Sequence, residues 1–143
     1  MTARQAAGAF DVTVTPQPAE PGIGDESIGR MALSKSFHGD LQATALGQML
    51  ATRTPTPGSA AYVALDRVTG TLHGRSGSFS LHHSGSMDRG TPTLDIVIVP
   101  DSGSEGLTGI SGRLRIRIED GRHFYELDYE LPDDQARATS ALG

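Results

Sequence analysis

The chain has 143 residues, no cysteine and a net charge of −5. That length suffices for one domain with a real core, and the lack of cysteine excludes a disulfide framework and thiolate chemistry. The acidic balance works against non-specific binding to nucleic acid or to an anionic membrane.

No apolar run approaches membrane-spanning length, and Met1 to Gly8 lack a signal-peptide core, so a soluble cytoplasmic protein is expected. The composition is rich in glycine, and short alternating runs are separated by Gly, Pro, Ser and Asp. That pattern predicts an all-β fold. The expected organisation is a flexible N-terminus over 1–8, a β-barrel domain over 9–131, and a tail over 132–143 that is disordered or forms a short terminal turn.

In chain order, Phe10, Val12 and Val14 alternate with Asp11, Thr13 and Thr15 and read as the first strand. Pro16 to Asp25 is a proline-rich loop. Ile28 to His38 is a second strand, and Gly39-Asp40 turns it into a third, Leu41 to Ala51. Met31, Leu33 and Phe37 share a face with Lys35, which leaves the buried face of this pair open. Arg53 to Ser59, with its Thr-Pro-Thr-Pro-Gly, is another loop.

Residues 60–84 read as a hairpin. Gly74-Arg75 suits a type II′ turn, which takes glycine first. That register sets Leu72 against Gly77, Gly70 against Phe79, Val68 against Leu81 and Asp66 against His83. Tyr62 and Ala64 share this inner face, and Arg67, Thr69, Thr71, Ser78, Ser80 and His82 face outward. A glycine across from Phe79 would let the ring lie over bare backbone at a curved wall. Thr93 to Val99 is a further strand. Its successive apolar residues, Ile96 to Val99, imply that both faces are covered, the outer one by a subunit interface or a packed terminal segment, and a homodimer is the working expectation.

Asp120-Gly121 lies between two alternating runs, the strongest short-range hairpin signal. A two-residue turn there sets Glu119 against Arg122, Ile118 against His123, Ile116 against Tyr125, Leu114 against Leu127 and Gly112 against Tyr129. The other face pairs Arg115 with Glu126 and Arg113 with Asp128, a ladder of opposite charges that belongs in solvent. Slipping by one residue would spoil both faces, so this register is well specified. About eight antiparallel strands whose edges all need partners predict a single closed or nearly closed barrel.

Several phrases point further: Gly39-Asp40-Leu41, Tyr62-Val63-Ala64, the run from Thr69 to Phe79, Pro100-Asp101-Ser102-Gly103-Ser104, Leu107-Thr108-Gly109, and His123 to Tyr129. Together they resemble a bacterial family known only as a domain of unknown function, whose members are similar in fold to the allene oxide cyclase-like β-barrel. The resemblance runs from Asp11 to Leu131. The chain departs from the family pattern at Asp66, where members often carry Glu. It departs again at Ser102 to Leu107, where an acid is displaced to Glu105. The resemblance implies a fold and no activity.

Asp66 and His83 form the sharpest chemical pair. A carboxylate beside an imidazole fixes its tautomer and supports general acid–base work, although structural pairs look the same from sequence. Tyr62, His123, Tyr125 and Tyr129 share the expected interior with Phe79 and Leu81, and hydroxyls there could hold a ligand oxygen. Tyr129, near the barrel end, reads better as core, and His123, beside a turn, as rim.

No metal is expected: His82 and His83 point to opposite faces, His73 and His82 sit far apart, and only His83, His123 and Asp66 could converge. The glycine-rich stretch Ser102 to Gly112 lacks the lysine and the helix of a phosphate loop, and no G-x-S-x-G elbow exists.

Three readings follow. The first is a barrel that binds a small, mostly apolar ligand, with no cofactor. The second is a cofactor-free isomerase or cyclase using Asp66 and His83. The third is a filled barrel acting as an interaction scaffold.

Overall fold

The computed structural model describes residues 2–132. Nine strands occur there: β1 (Thr2–Pro16), β2 (Ile28–Phe37), β3 (Leu41–Arg53), β4 (Ala60–Leu72), β5 (Arg75–Asp88), β6 (Thr91–Ile98), β7 (Ser104–Glu105), β8 (Ser111–Glu119) and β9 (Arg122–Leu131). All ladders are antiparallel. Eight strands close in the order β1-β2-β3-β4-β5-β6-β8-β9, and β9 returns to β1. The two-residue β7 lies outside this ring and pairs with β5 at Gly77 and Ser78. The architecture is therefore an all-β, up-and-down eight-stranded barrel with one extra strand.

Alternation puts every second residue inside. Ala6, Phe10, Leu33, Phe37, Leu41, Val68, Leu72, Phe79, Leu81, Ile96, Ile98, Leu114, Tyr125 and Leu127 are all buried there. Arg113, Arg115 and Arg117 point outward, as the charge ladder requires. Arg115 bridges Glu126 at 2.9 Å and also Asp128. The Arg113 guanidinium reaches past Asp128 to Asp95 on β6. It thereby crosses the β6–β8 seam, whose ladder has the single pair Val97 with Arg113.

The β8–β9 hairpin has the expected register throughout, from Glu119–Arg122 to Gly112–Tyr129. Asp120 and Gly121 both take positive φ, 51° and 76°, as a type I′ turn demands.

The β4–β5 hairpin differs. Its turn is His73-Gly74, with φ of 45° and 81°, rather than Gly74-Arg75. Glycine serves as the second central residue, and His73 takes the left-handed conformation that His accepts more readily than most residues. The register shifts by two: Leu72 meets Arg75, Gly70 meets Gly77, Val68 meets Phe79 and Asp66 meets Leu81. A shift of two preserves inside and outside, so the face assignments survive. The ring lying over glycine is not Phe79 on Gly70 but Tyr62 on Gly85, where a Cβ would come within 2.3 Å of Tyr62 Cε1.

Two boundaries also move. Residues 2–8, expected to be flexible, are strand: β1 runs along β9 from Thr2–Leu131 to Phe10–His123. Alanines hide this segment from a hydrophobic pattern, yet Ala6 is fully buried. β6 starts at Thr91 and ends at Ile98, with Ile96 and Ile98 inside and Val97 and Val99 half-buried on the outer wall. The tail expected over 132–143 lies, apart from Pro132, outside the described residues.

One end of the barrel is shut. The loop after β6 folds back on β5, where Ser102 and Ser104 accept hydrogen bonds from the backbone N–H groups of Ser80 and Ser78. Arg67 donates to Ser78 Oγ, Ser80 Oγ and the carbonyl of Ser102. The loop thus delivers Leu107 and Ile110 into the buried core, with Leu107 lying against Gly77 of β5.

Tyr125 secures the same end. Its hydroxyl donates to the His38 carbonyl at 2.7 Å and accepts from the Leu41 N–H at 2.9 Å, tying the β2–β3 turn to β9. Tyr125→Phe strands that buried N–H. It is expected to lose about 1–3 kcal/mol of stability in urea denaturation, and an unchanged midpoint would show the bond to be idle.

Candidate functional site

Three ionisable side chains meet inside the barrel: Lys35 from β2, Asp66 from β4 and His83 from β5. The register explains how. Asp66 lies opposite Leu81 and His83 opposite Ala64, so the two are diagonal neighbours. His83 Nε2 stands 2.7 Å from Asp66 Oδ2. Lys35 lies beyond β3, where its partner is Ala45 and where Gly47 faces Asp66. Those two small residues leave the lysine room to reach across, and its Nζ donates to Asp66 Oδ2 at 2.7 Å. The carboxylate is held tightly against β3: a Cβ on Gly47 would fall 2.2 Å from Asp66 Oδ1.

The geometry fixes the protons. A carboxylate only accepts, so both Nζ and Nε2 donate to the shared oxygen. Nζ also lies 3.5 Å from Nε2. Because the imidazole N–H already points at Asp66, that nitrogen offers Lys35 no lone pair. Of the three ammonium hydrogens, one therefore has a carboxylate to meet. Asp66 Oδ1 is buried with no hydrogen-bond partner. Burial pushes the Asp66 carboxyl up, but the hydrogen bonds from His83 and Lys35 and the Lys35 charge outweigh it, and its pKa lies below the ordinary value.

Tyr62 flanks this cluster, its ring centroid 6.4 Å from that of His83. Burial, and after it the Asp66 charge, raise the Tyr62 pKa, so the phenol stays a neutral donor. Tyr62 also lines a cavity of about 340 Å³ at the barrel end away from the plug, with Met49, Ala51, Gly85, Met87 and Leu94 in its wall. Apolar walls with one phenol at the edge suit a small hydrophobic molecule.

The remaining expected residues disperse. Phe79 and Leu81 are fully buried core, the latter directly across from Asp66. His123 is half-buried against the Phe10 ring at 5.2 Å. The Tyr125 hydroxyl is occupied by backbone at the closed end. Tyr129 meets His73 Nδ1 at 2.5 Å at that same end. Both tyrosines have raised pKa values, chiefly through burial.

The structure therefore unites Asp66, His83 and Tyr62 and leaves His123, Tyr125 and Tyr129 elsewhere. Among the described residues no three His, Asp or Glu side chains gather to hold a metal ion. The member that sequence reasoning missed is Lys35. A signal existed: it is the only lysine in a chain with eleven arginines, and it sits at the inward parity between Leu33 and Phe37.

An up-and-down barrel with a buried Lys–Asp–His cluster and one plugged end defines the class of protein. Residues 6–129 match the family described as "Protein of unknown function (DUF3224)", and the chain belongs to that family. It is similar to a solved structure of a DUF3224 protein of unknown function from Shewanella oneidensis MR-1. The two share 43% identity at a TM-score of 0.84, covering 92% of this chain and 99% of the other. No curated protein matches.

Proposed function

We propose that this barrel binds a small, mostly apolar molecule at its open end, with the polar end of the ligand turned toward Lys35, Asp66 and His83. The observation that carries this reading is a buried ion pair separated from an apolar cavity by the Tyr62 ring, which lines the cavity and lies 6.4 Å from the His83 ring. Burying two charges costs several kcal/mol per ion and returns little net stability, so an apolar trio of the same volume would serve a purely structural core as well or better. A ligand oxygen gives the spare ammonium hydrogens an acceptor.

The test is a titration of 15N-labelled protein with 1-hexanol, followed by amide shifts. Saturable shifts at Tyr62, Gly85 and Leu94 are expected. Tyr62→Ala is expected to weaken binding about tenfold, or roughly 1.4 kcal/mol. A spectrum that does not move up to the solubility limit of the alcohol would sink the proposal and leave the filled scaffold.

A second reading, cofactor-free isomerisation or cyclisation, draws on the Asp66–His83 hydrogen bond and the neutral Tyr62 phenol. There the imidazole would move a proton, the phenol would steady a developing oxyanion, and the barrel would hold a flexible substrate in a reactive conformer. The likeness to the allene oxide cyclase-like barrel belongs to this reading as an analogy of fold alone. Turnover of a bound ligand that disappears in His83→Gln, with binding retained, would favour it over simple binding.

A further inference from the structure

The chain contains a single lysine, and that lysine is buried inside the barrel with a side-chain exposure of 8%. Every other basic side chain apart from histidine is arginine. An arginine would pair with Asp66 at least as well, through a planar fork suited to carboxylates, so a need for charge alone does not explain lysine here. What lysine has and arginine lacks is an amine that can lose its proton and act as a nucleophile. The proton has somewhere to go: Asp66 Oδ2 lies 2.7 Å from Nζ, and His83 Nε2 holds the same oxygen.

We propose that Lys35 is a carbonyl-capturing amine: the ligand is an aldehyde or ketone with an apolar body, and Lys35 binds it as a protonated Schiff base. This rests on the binding reading above and names its ligand class.

The chemistry balances within the cluster. The Lys35 ammonium passes a proton to Asp66, and the free Nζ lone pair forms a bond to the carbonyl carbon. The C=O π pair moves to oxygen, which takes a proton from the nitrogen. Asp66 then protonates that hydroxyl, the C–O bond breaks, and water leaves as the nitrogen lone pair forms C=N. The sum is ammonium plus carbonyl giving iminium plus water, with no oxidant or reductant. Asp66 ends as a carboxylate facing a cation, as it began, so the buried charge count is unchanged. His83 donates to the carboxylate at both ends of the sequence and keeps it ionised. Tyr62, whose ring centroid is 6.4 Å from that of His83, stands between the cluster and the apolar cavity, so a carbon chain would approach Lys35 from that side.

The experiment exploits the single lysine. The whole protein is incubated at neutral pH with hexanal and sodium cyanoborohydride, then mapped by peptide mass spectrometry, with a parallel sample unfolded in urea. The expected result is hexylated Lys35 in the folded protein, formed at least as fast as in urea. Asp66→Asn is expected to slow this labelling on the order of a hundredfold, as loss of a proton-transfer group does.

A Lys35 that stays unmodified in the folded protein but reacts in urea overturns the proposal. So does equal labelling of Asp66→Asn and wild type. The hexanol titration separates the two levels. If hexanol binds while hexanal leaves Lys35 untouched, the cavity stands and the amine chemistry falls. If hexanol shifts nothing and Lys35 is not labelled, both fall.

Discussion

Asp66→Ala is expected to remove roughly 3–5 kcal/mol of stability, the penalty for leaving a buried charge without its partner. The variant strands the Lys35 ammonium in the barrel and takes from His83 the acceptor that orients it. Urea denaturation followed by circular dichroism measures the loss. The double variant Lys35→Met with Asp66→Leu is expected to recover most of it, because removing both ions also removes their desolvation cost. A single variant as stable as wild type, or a double variant no better than the single, would show that the pair is not the unit described here.

The same pair has a pH signature. The folded state holds the Asp66 pKa below its ordinary value of 3.8, the value expected in the unfolded chain. The unfolded chain therefore binds the proton first as pH falls. The contribution of the pair is full above that ordinary value and is lost as pH drops through the folded pKa. Acid denaturation of the Lys35→Met, Asp66→Leu variant is expected to lack this part of the wild-type slope, whereas the exposed carboxylates on the outer wall contribute equally to both proteins.

Gly47→Ala is the second change with a large expected effect. Glycine to alanine in an unstrained strand position commonly stabilises by a few tenths of a kcal/mol or more, because it restricts the unfolded chain. Here the new Cβ would lie 2.2 Å from both Asp66 Oδ1 and the Leu65 carbonyl oxygen. Neither is a flexible tip free to swing away, since the carboxylate is pinned by two donors and the carbonyl belongs to the β4 backbone. The expected cost is about 1–3 kcal/mol or more, typical of overpacking. The imidazole 15N shifts of His83 are expected to change as Asp66 is pushed off its bond. A variant of wild-type stability with an unchanged His83 signal would mean that Gly47 has no part in seating the carboxylate.

How far the sequence showed this site depends on which rule governed each residue. Asp120-Gly121 could be placed because only a type I′ turn uses both residues well, and the whole β8–β9 register followed from it. At the other hairpin one glycine allowed two turns, as the first central residue of a type II′ turn over Gly74-Arg75 or as the second behind a left-handed His73, and the chain takes the latter. The error cost the direct Asp66–His83 pairing but not their meeting, since diagonal neighbours on one face still touch. Lys35 escaped for a different reason. Its partner sits two strands away across β3, and no local pattern encodes a contact over that span. The burial of Ala6 was equally silent, because alanine carries almost no periodic signal and its strand is recruited by β9 from the far end of the chain. The plug escaped as well: Leu107 and Ile110 lie in an irregular loop whose position is set by Ser102, Ser104 and Arg67 rather than by alternation.

The ladder between β1 and β9 also bears on how the molecule is made. Hairpins such as β2–β3, β4–β5 and β8–β9 join near neighbours and can form as each emerges from the ribosome. The ring cannot close until β9 has been synthesised, because the partner of Thr2 is Leu131. Pairing of strands so distant in sequence is the slow class of folding event. Throughout that wait β1 presents an open edge to its surroundings, which is the hazard edge strands carry. During translation the vulnerable element of this protein is its first strand, and it is the last strand that protects it.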